Sequence, residues 1–264
     1  MKIKKNNLIA SVLIVNFNNA RYLTKCLNSI FNQDYKKIEI IVIDDQSSDN
    51  SLTILKKFSK KIKIIKTKKK FGNGNFNQMN AFLEGFNLSK GDIIFLLDSD
   101  DYFNLKKISK IILDFEKEKK LEVVFDLPIK KFTYKEKKIY NRNLSYNNYW
   151  PYIPPTSCIS LRRNTLRKIF KLINFKLFPN IWFDFRIGII SKYIFKGPHI
   201  NHEHLTYYRQ SNENVSSNFK FLSKNWWKRR KEAHKYIRYF FSKNKIRYEK
   251  NSDYFITAII NFFI

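Results

Sequence analysis

Three carboxylates crowd the stretch Asp98-Ser99-Asp100-Asp101. They follow directly on an apolar run over residues 93–97, which reads as a buried strand bounded by polar residues. Carboxylates this close repel one another, and leaving them uncompensated in a cleft costs energy. A divalent cation is the natural remedy. An all-oxygen ligand set suits Mg²⁺ or Mn²⁺, ions that keep positions open for water or phosphate. The plainer alternative is a solvated acidic turn in which Asp101 caps the next helix.

Two further polar breaks end apolar runs in the same way. Asn16-Phe17-Asn18-Asn19 follows the run over residues 8–15, and Asp44-Asp45-Gln46-Ser47-Ser48-Asp49 follows residues 38–43. Between these runs lie stretches of helical spacing. One runs through Tyr22, Leu23, Cys26, Leu27 and Ile30, one through Leu52, Leu55 and Phe58, and one through Met79, Phe82, Leu83 and Phe86. Residues 62–65 supply a short third strand. Strand and helix alternating with short connections predict an α/β fold with a mostly parallel sheet of right-handed crossovers. Ligands of such sheets bind at the carboxyl ends of the strands. The loops after the first, second and fourth strands therefore converge on one edge. Asn50 or Ser51 is placed to cap the second helix, and Asp49 reads as a turn or cap residue rather than a ligand. The glycine- and asparagine-rich residues 71–77 read as a flexible loop beside the site.

The ordered blocks SVLIVNFNNARYLTKCLNSIFNQDY, EIIVIDDQSSDNS and GNGNFNQMNAFLEGFNLSKGDIIFLLDSDD resemble the family-2 glycosyltransferases of GT-A, Rossmann-like fold. The resemblance is strong over residues 8–105 and looser to about 215. It implies an inverting transfer of a sugar from a nucleoside diphosphate donor, expected to be a UDP-sugar, to a surface-polysaccharide or lipid-linked glycan acceptor. It implies a metal held by Asp100, with Asp98 and Asp101 assisting or holding ribose. It also implies a base site at Asp45 with Asp44 beside it, a base-stacking ring at Phe17, and Asn80 near the donor phosphates or ribose. Phe17 has core packing as its alternative.

In the family the acceptor hydroxyl is deprotonated by an acidic residue of the second half. Asp184 fits, being the one carboxylate in the apolar stretch 177–190, where partial burial would raise its pKa toward a useful range. Its alternative is an ion pair with Arg186. Tyr207-Tyr208-Arg209 resembles a later family motif, and Arg209 would cover the donor diphosphate as a fixed planar cation. Relatives often follow that motif with a histidine where this chain has Ser211, so a histidine as third metal ligand is not expected. His199, His202 and His204 match no zinc spacing and read as ordinary residues.

The second half is expected to add a helix over residues 105–115, a strand over 121–125, a hairpin within 130–148, a rigid proline loop over 149–155, and a strand over 158–161. Asn164 then caps a helix over 166–173. Residues 1–218 form the catalytic domain in this reading, and 219–264 a basic aromatic helical extension. In that extension Trp226, Trp227, Ala233, Ile237, Phe240 and Phe241 share one face, opposite Lys228, Arg229, Arg230, Lys231 and Lys235. Such a helix suits an anionic membrane surface, or else packs on the catalytic domain.

The formal net charge is +29, from 51 basic and 22 acidic side chains, which attracts anions whatever its origin. The lysines are dispersed, and Lys, Asn, Ile, Phe and Tyr are abundant together, the signature of an AT-rich coding bias. No run of about 18 apolar residues is present to span a membrane. The basic, apolar N-terminus lacks a small-residue cleavage site. Cys26 and Cys158 match no metal spacing and suit a reducing compartment. The location expected is the cytoplasm, including the inner face of the cytoplasmic membrane. A nucleic-acid-binding protein is the rival suggested by charge and aromatics. It leaves unexplained the acidic loops on one sheet edge, which would repel phosphates, so no nucleic-acid partner is expected. A non-catalytic sugar-nucleotide binder is a second rival, disfavoured by the intact acidic turn and Asp184.

Overall fold

The computed structural model describes residues 8–132, 135–139, 149–210 and 219–264. Its framework is a parallel sheet of β1 (Ala10–Asn16), β2 (Ile38–Asp44), β3 (Lys63–Lys66) and β4 (Ile93–Asp98), in the order β3-β2-β1-β4. β1 and β2 pair in register from Ala10 with Ile38 to Asn16 with Asp44, and β1 and β4 from Ala10 with Ile93 to Val15 with Asp98. That register brings the ends of the three strands together where the chain leaves the sheet: Asn16 stands beside Asp44, and Asp98 beside Val15, one position back along β1.

Both faces of this sheet are covered, which is why the strands read as continuous apolar runs rather than alternating ones. Val12, Ile14, Val42, Phe95 and Leu97 point to one face, against α1 (Ala20–Phe31), α2 (Ser51–Lys57) and α4 (Lys107–Lys117). Leu13, Val15, Ile43, Ile94 and Leu96 point to the other, against α3 (Gly74–Leu88), α5 (Arg163–Leu172), α6 (Phe183–Ile194) and α7 (Lys224–Lys243). Gly91 lets β4 begin tight against β1, since a Cβ there would lie 2.6 Å from the Ser11 backbone nitrogen.

Beyond β4 the sheet becomes mixed. β8 (Ile159–Arg162) runs antiparallel to β4 and to β6 (Val123–Lys131), and β9 (His199–Arg209) runs parallel to β6. β5 (Tyr102–Phe103) closes on β9, antiparallel. The predicted hairpin is present as β6 with β7 (Glu136–Lys138), while residues 140–148 of that segment lie outside the described residues. The proline loop packs its Ile153 on α6 at Gly188, where a Cβ would come within 2.9 Å of Ile153 Cγ1.

Three local expectations are corrected. Asn164 does not cap α5: the helix starts at Arg163 with Arg162 at the cap position, two residues before Asn164, which is already inside the first turn. Asn50 stands at the cap of α2 without a side-chain bond there. Asp49, read as a turn or cap residue, takes that part, accepting from the Ser51 N–H and from the Ala20 N–H, both at 2.9 Å, so one carboxylate anchors the first turns of α1 and α2. The second half of the GNGN stretch is helix rather than flexible loop: Gly74 and Asn75 open α3, and Asn73 caps it, accepting from Asn75 and Phe76 N–H.

The tail also departs from one of its two readings. Ala233, Ile237, Phe240 and Phe241 of α7 are buried in the cluster on the α3 side of the sheet, so that apolar face packs on the domain rather than facing a membrane. α8 (Ser252–Phe263) follows, with Ile259, Phe262 and Phe263 of its outer face exposed. Among the described residues, no helix is long and apolar enough to cross a membrane.

Candidate functional site

Asp44 is fully buried at the end of β2, its two oxygens taken by the Asn16 side-chain amide at 2.9 Å and the Ser47 N–H at 3.0 Å. It shapes the loop. Asp45, the next residue, points the other way and accepts from the Thr67 hydroxyl at 2.7 Å. Burial pushes its carboxyl above the ordinary value, against the opposing pull of the Thr67 hydroxyl and of Lys70. Phe17 is half exposed, with Lys70 Nζ 5.0 Å from its ring centroid. Core packing is therefore excluded for Phe17, and its ring lies open on the same edge as Asp45.

Asp98, Asp100 and Asp101 behave differently from one another. Asp101 is buried and its carboxylate is already engaged. The Ser157 hydroxyl donates to one oxygen at 2.5 Å and the Arg209 N–H to the other at 2.8 Å. Burial and then the neighbouring Asp100 push its carboxyl well up. It does not cap α4, whose cap position is Lys106. Asp98 accepts from the Gln78 side-chain amide at 2.7 Å and is pushed up to about 7, first by burial and then by Asp100, with Asp184 adding to the shift. Asp100 is also shifted up by burial, against the opposing pull of Arg209 and Arg21. Two clustered carboxylates raised in this way fit a divalent cation. Among the described residues, no three His, Cys, Asp or Glu side chains group as a complete metal site.

Arg209, at the end of β9, comes to this turn from the far side of the sheet. Its Nε donates to the Asp100 carbonyl at 2.9 Å and its guanidinium carbon lies 4.1 Å from the Tyr22 ring centroid. Arg21 stacks on the same ring at 4.5 Å. Asn80 sits on α3 and donates to Glu84 at 2.7 Å, and Glu84 in turn accepts from the Lys68 N–H at 3.3 Å. The α3 residue that reaches the acidic turn is Gln78. Asn80 instead ties α3 to the segment after β3. Ser211 lies outside the described residues.

Asp184 occupies the first turn of α6 and accepts from the Phe185 N–H at 2.6 Å. Burial raises it to about 6, with Arg229 opposing the shift. The ion pair with Arg186 is not formed. Arg186 is fully buried and donates instead to the carbonyls of Leu177, Phe178 and Ile181, at 2.9, 2.7 and 3.1 Å. Asp184 is thus left to face the cleft, near enough to Asp98 for the two charges to sense each other.

A support beneath the acidic turn has no counterpart in the sequence patterns. Lys107 and Asp126 are fully buried and paired at 2.8 Å. Lys107 Nζ also donates to the Ser157 carbonyl and the Thr206 hydroxyl, both at 2.6 Å, and Thr206 donates to Asp126 at 2.7 Å. These bonds fix Ser157, whose hydroxyl then holds Asp101 and accepts from the Asp98 N–H at 3.1 Å. A lysine in a lysine-rich chain carries no signal that it is buried, and a lone Asp in an apolar strand points to a partner without naming it.

Residues 11–190 match the model of the family described as Glycosyl transferase family 2. An uncharacterized glycosyltransferase of Nostoc sp. is 31% identical over 215 residues, which are 75% of this chain and 64% of that protein. A dolichyl N-acetyl-alpha-D-glucosaminyl phosphate diacetamido-dideoxy-glucuronosyltransferase of Methanococcus voltae is 34% identical over 119 residues, 42% of this chain and 35% of that one. Among solved structures, Staphylococcus aureus TarS residues 1–349 in complex with UDP-GlcNAc superposes with a TM-score of 0.61 at 17% identity, covering 86% of this chain and 65% of that one. A Pyrobaculum calidifontis mannosyltransferase in complex with GDP-Man and Mn²⁺ gives 0.57 at 13% identity, covering 94% and 67%. These likenesses show the GT-A fold. The chain spans less than two thirds of the length of both sequence relatives.

Proposed function

Because the chain belongs to glycosyl transferase family 2, we propose that it moves a sugar from a nucleoside diphosphate donor, with UDP as the nucleotide, to a hydroxyl of a polysaccharide or lipid-linked glycan, inverting the anomeric centre. The observation that carries this reading is the convergence of Phe17, Asp45, Asp98 and Asp100 on one sheet edge, with Arg209 over the acidic turn and Asp184 near Asp98. Neutral ligands would gain little from raised carboxylates beside a clamped guanidinium. A diphosphate bridged to those carboxylates by a cation gains from both. The structural neighbours bound to UDP-GlcNAc, and to GDP-Man with Mn²⁺, support the class of donor.

In this reading Phe17 stacks on the base, Asp45 bonds its edge, and Asp44 holds the loop that presents them. Asn80 braces the segment beside Asp45. Asp100 and Asp98 hold Mn²⁺ or Mg²⁺, which when bound supplies Lewis-acid neutralisation of the departing diphosphate. Asp101 keeps the turn in shape. Arg209 lies over the diphosphate as a fixed planar cation. Asp184 takes the proton of the acceptor hydroxyl from the side opposite the leaving group, as single-displacement inversion requires. The nucleic-acid rival has no comparable support: the net charge is positive, but the polar loops of this edge are acidic.

We further propose that the protein works at the inner face of the cytoplasmic membrane. Exposed Phe262, Phe263 and Ile259 on α8 lie alongside a helix carrying exposed Lys228, Lys231 and Lys235, a pairing suited to anionic lipid. Replacing the three apolar side chains by serine should abolish sedimentation with phosphatidylglycerol vesicles. Equal sedimentation would remove the membrane proposal.

The donor reading is tested by titrating UDP, GDP and CDP with and without Mn²⁺, and by following UDP release from UDP-sugars. UDP binding strengthened by Mn²⁺ is expected. Absence of binding by every nucleoside diphosphate would overturn it.

A further inference from the structure

A cavity of about 230 Å³ opens beside Asp184, between α6 and α7, with Trp150, Trp182, Phe185, Trp226 and Arg229 among its walls. Resting on the reading of Asp184 as the acceptor-side base, we propose that this cavity receives the terminal sugar of the acceptor, an uncharged pyranose laid on the indoles with one hydroxyl toward Asp184.

Size, surface and charge each favour that occupant. Pockets for drug-sized ligands run to about 300–1,000 Å³, so this one suits a single ring. Three tryptophans and a phenylalanine offer apolar faces, which match the C–H faces of a pyranose while its edges keep their hydroxyls. The basic groups of the wall are largely offset. Arg230 lies 4.9 Å from the ring centroids of both Trp150 and Trp226, and its Nε donates to Asp253 at 2.9 Å. Arg229 stacks on Trp182 at 4.2 Å, and its charge is partly balanced by that of Asp184. A phosphate would find no uncommitted cluster of cations here, whereas a neutral sugar meets no electrostatic barrier.

Two polar atoms of the wall are short of partners. Trp182 Nε1 and Arg229 Nη1 are buried and, among the described residues, have no hydrogen-bond partner. Small rotations toward a sugar hydroxyl would satisfy either. The indoles are also held in place. Trp150 Nε1 donates to Asp253 at 2.9 Å, and the ring of His234 lies 3.0 Å from the same carboxylate. Burial alone would push the Asp253 carboxyl up, but His234, Arg230 and Trp150 together hold it far below the usual carboxylate range. α8 thereby fixes the wall that α7 presents.

Trp226 and Arg229 lie beyond residue 190, where the match to the family ends. The acceptor is therefore selected in part by a helix outside the shared domain.

The test uses saturation-transfer NMR on the full chain loaded with UDP and Mn²⁺. The probes are the methyl β-pyranosides of glucose, galactose and N-acetylglucosamine, methyl α-mannoside, and glycerol 1-phosphate as the anionic arm. At least one neutral pyranoside should bind. Trp226→Ala should weaken it about tenfold and Trp226→Phe much less, with UDP affinity unchanged in both. Arg229→Met serves as the second variant if Trp226→Ala fails to fold by circular dichroism, and should weaken the same pyranoside. Binding of glycerol 1-phosphate alone, of no pyranoside, or of a pyranoside equally by wild type and variants would overturn the proposal. Failure of the wild type to bind UDP would instead count against the donor reading.

Discussion

The backbone N–H of Arg209 donates to the carboxylate of Asp101 at 2.8 Å, joining the end of β9 to the turn after β4. With the Ser157 hydroxyl on the other oxygen, Asp101 becomes the peg on which the acidic turn hangs. The turn's neighbours Asp98 and Asp100 can then keep raised, mutually repelling carboxylates in one place.

Ser157→Ala should loosen that peg. It removes a donor to a buried carboxylate and an acceptor for the Asp98 N–H, and an unmet buried group costs about 1–3 kcal/mol. The melting temperature should fall by several degrees, and Mn²⁺-dependent UDP affinity with it. A variant that melts and binds as wild type would show that the turn stands without Ser157.

Lys107→Met should cost more. The variant strands a fully buried Asp126 without its cation, and breaking a buried pair in this way costs about 3–5 kcal/mol. Urea unfolding is the measurement. A loss below about 1 kcal/mol, within the range of exposed pairs, would contradict the description of this pair as the support of the site.

Asp45→Ala should weaken UDP and spare inorganic pyrophosphate. Asp45 lies with Phe17 on the base side of the edge, whereas the diphosphate side belongs to Asp98, Asp100 and Arg209. Hydrogen bonds to charged groups contribute about 1.5–3 kcal/mol, so the dissociation constant for UDP should rise roughly ten- to a hundredfold. Equal losses for UDP and pyrophosphate would show that Asp45 shapes the loop instead.

The rate of transfer should follow the ionisation of Asp184. Burial raises this carboxyl to about 6, and only the deprotonated form accepts a proton. At saturating donor, kcat/KM for the acceptor should rise with pH up to about 6 and level off above it. Asp184→Asn should remove that limb and lower kcat by about 10²–10⁴ while donor affinity holds. A flat profile in the wild type, or near-normal turnover in Asp184→Asn, would return the search for the base to other carboxylates.

The central strands were legible because they are buried on both faces and have no polar positions to blur the pattern. Their ends were legible too, since polar residues at Asn16, Asp44 and Asp98 break each apolar run, and the pairing brings these breaks within one position of one another. Other features were not. Asn164 looks like a helix cap, but nothing in the sequence says that Arg163 already has helical backbone. Arg186 looks like a partner for Asp184 because both interrupt one apolar stretch. Only the fold reveals that three carbonyls, of Leu177, Phe178 and Ile181, take the Nε and Nη2 donors of the guanidinium. Gln78 and Asn80 are both polar residues of one helix, and which of them reaches Asp98 depends on how α3 is rotated on the sheet. The apolar face of α7 was visible, but not that Phe240 and Phe241 turn inward. An amphipathic helix presents the same periodicity to a core and to a membrane.

The most direct test of the account is calorimetric titration of UDP into wild type and Asp100→Asn, each with Mn²⁺ and with a chelator. The account predicts that Mn²⁺ tightens UDP binding in the wild type and that Asp100→Asn loses most of this gain while the chelated affinities stay alike. Undiminished Mn²⁺ enhancement in a folded Asp100→Asn would contradict it.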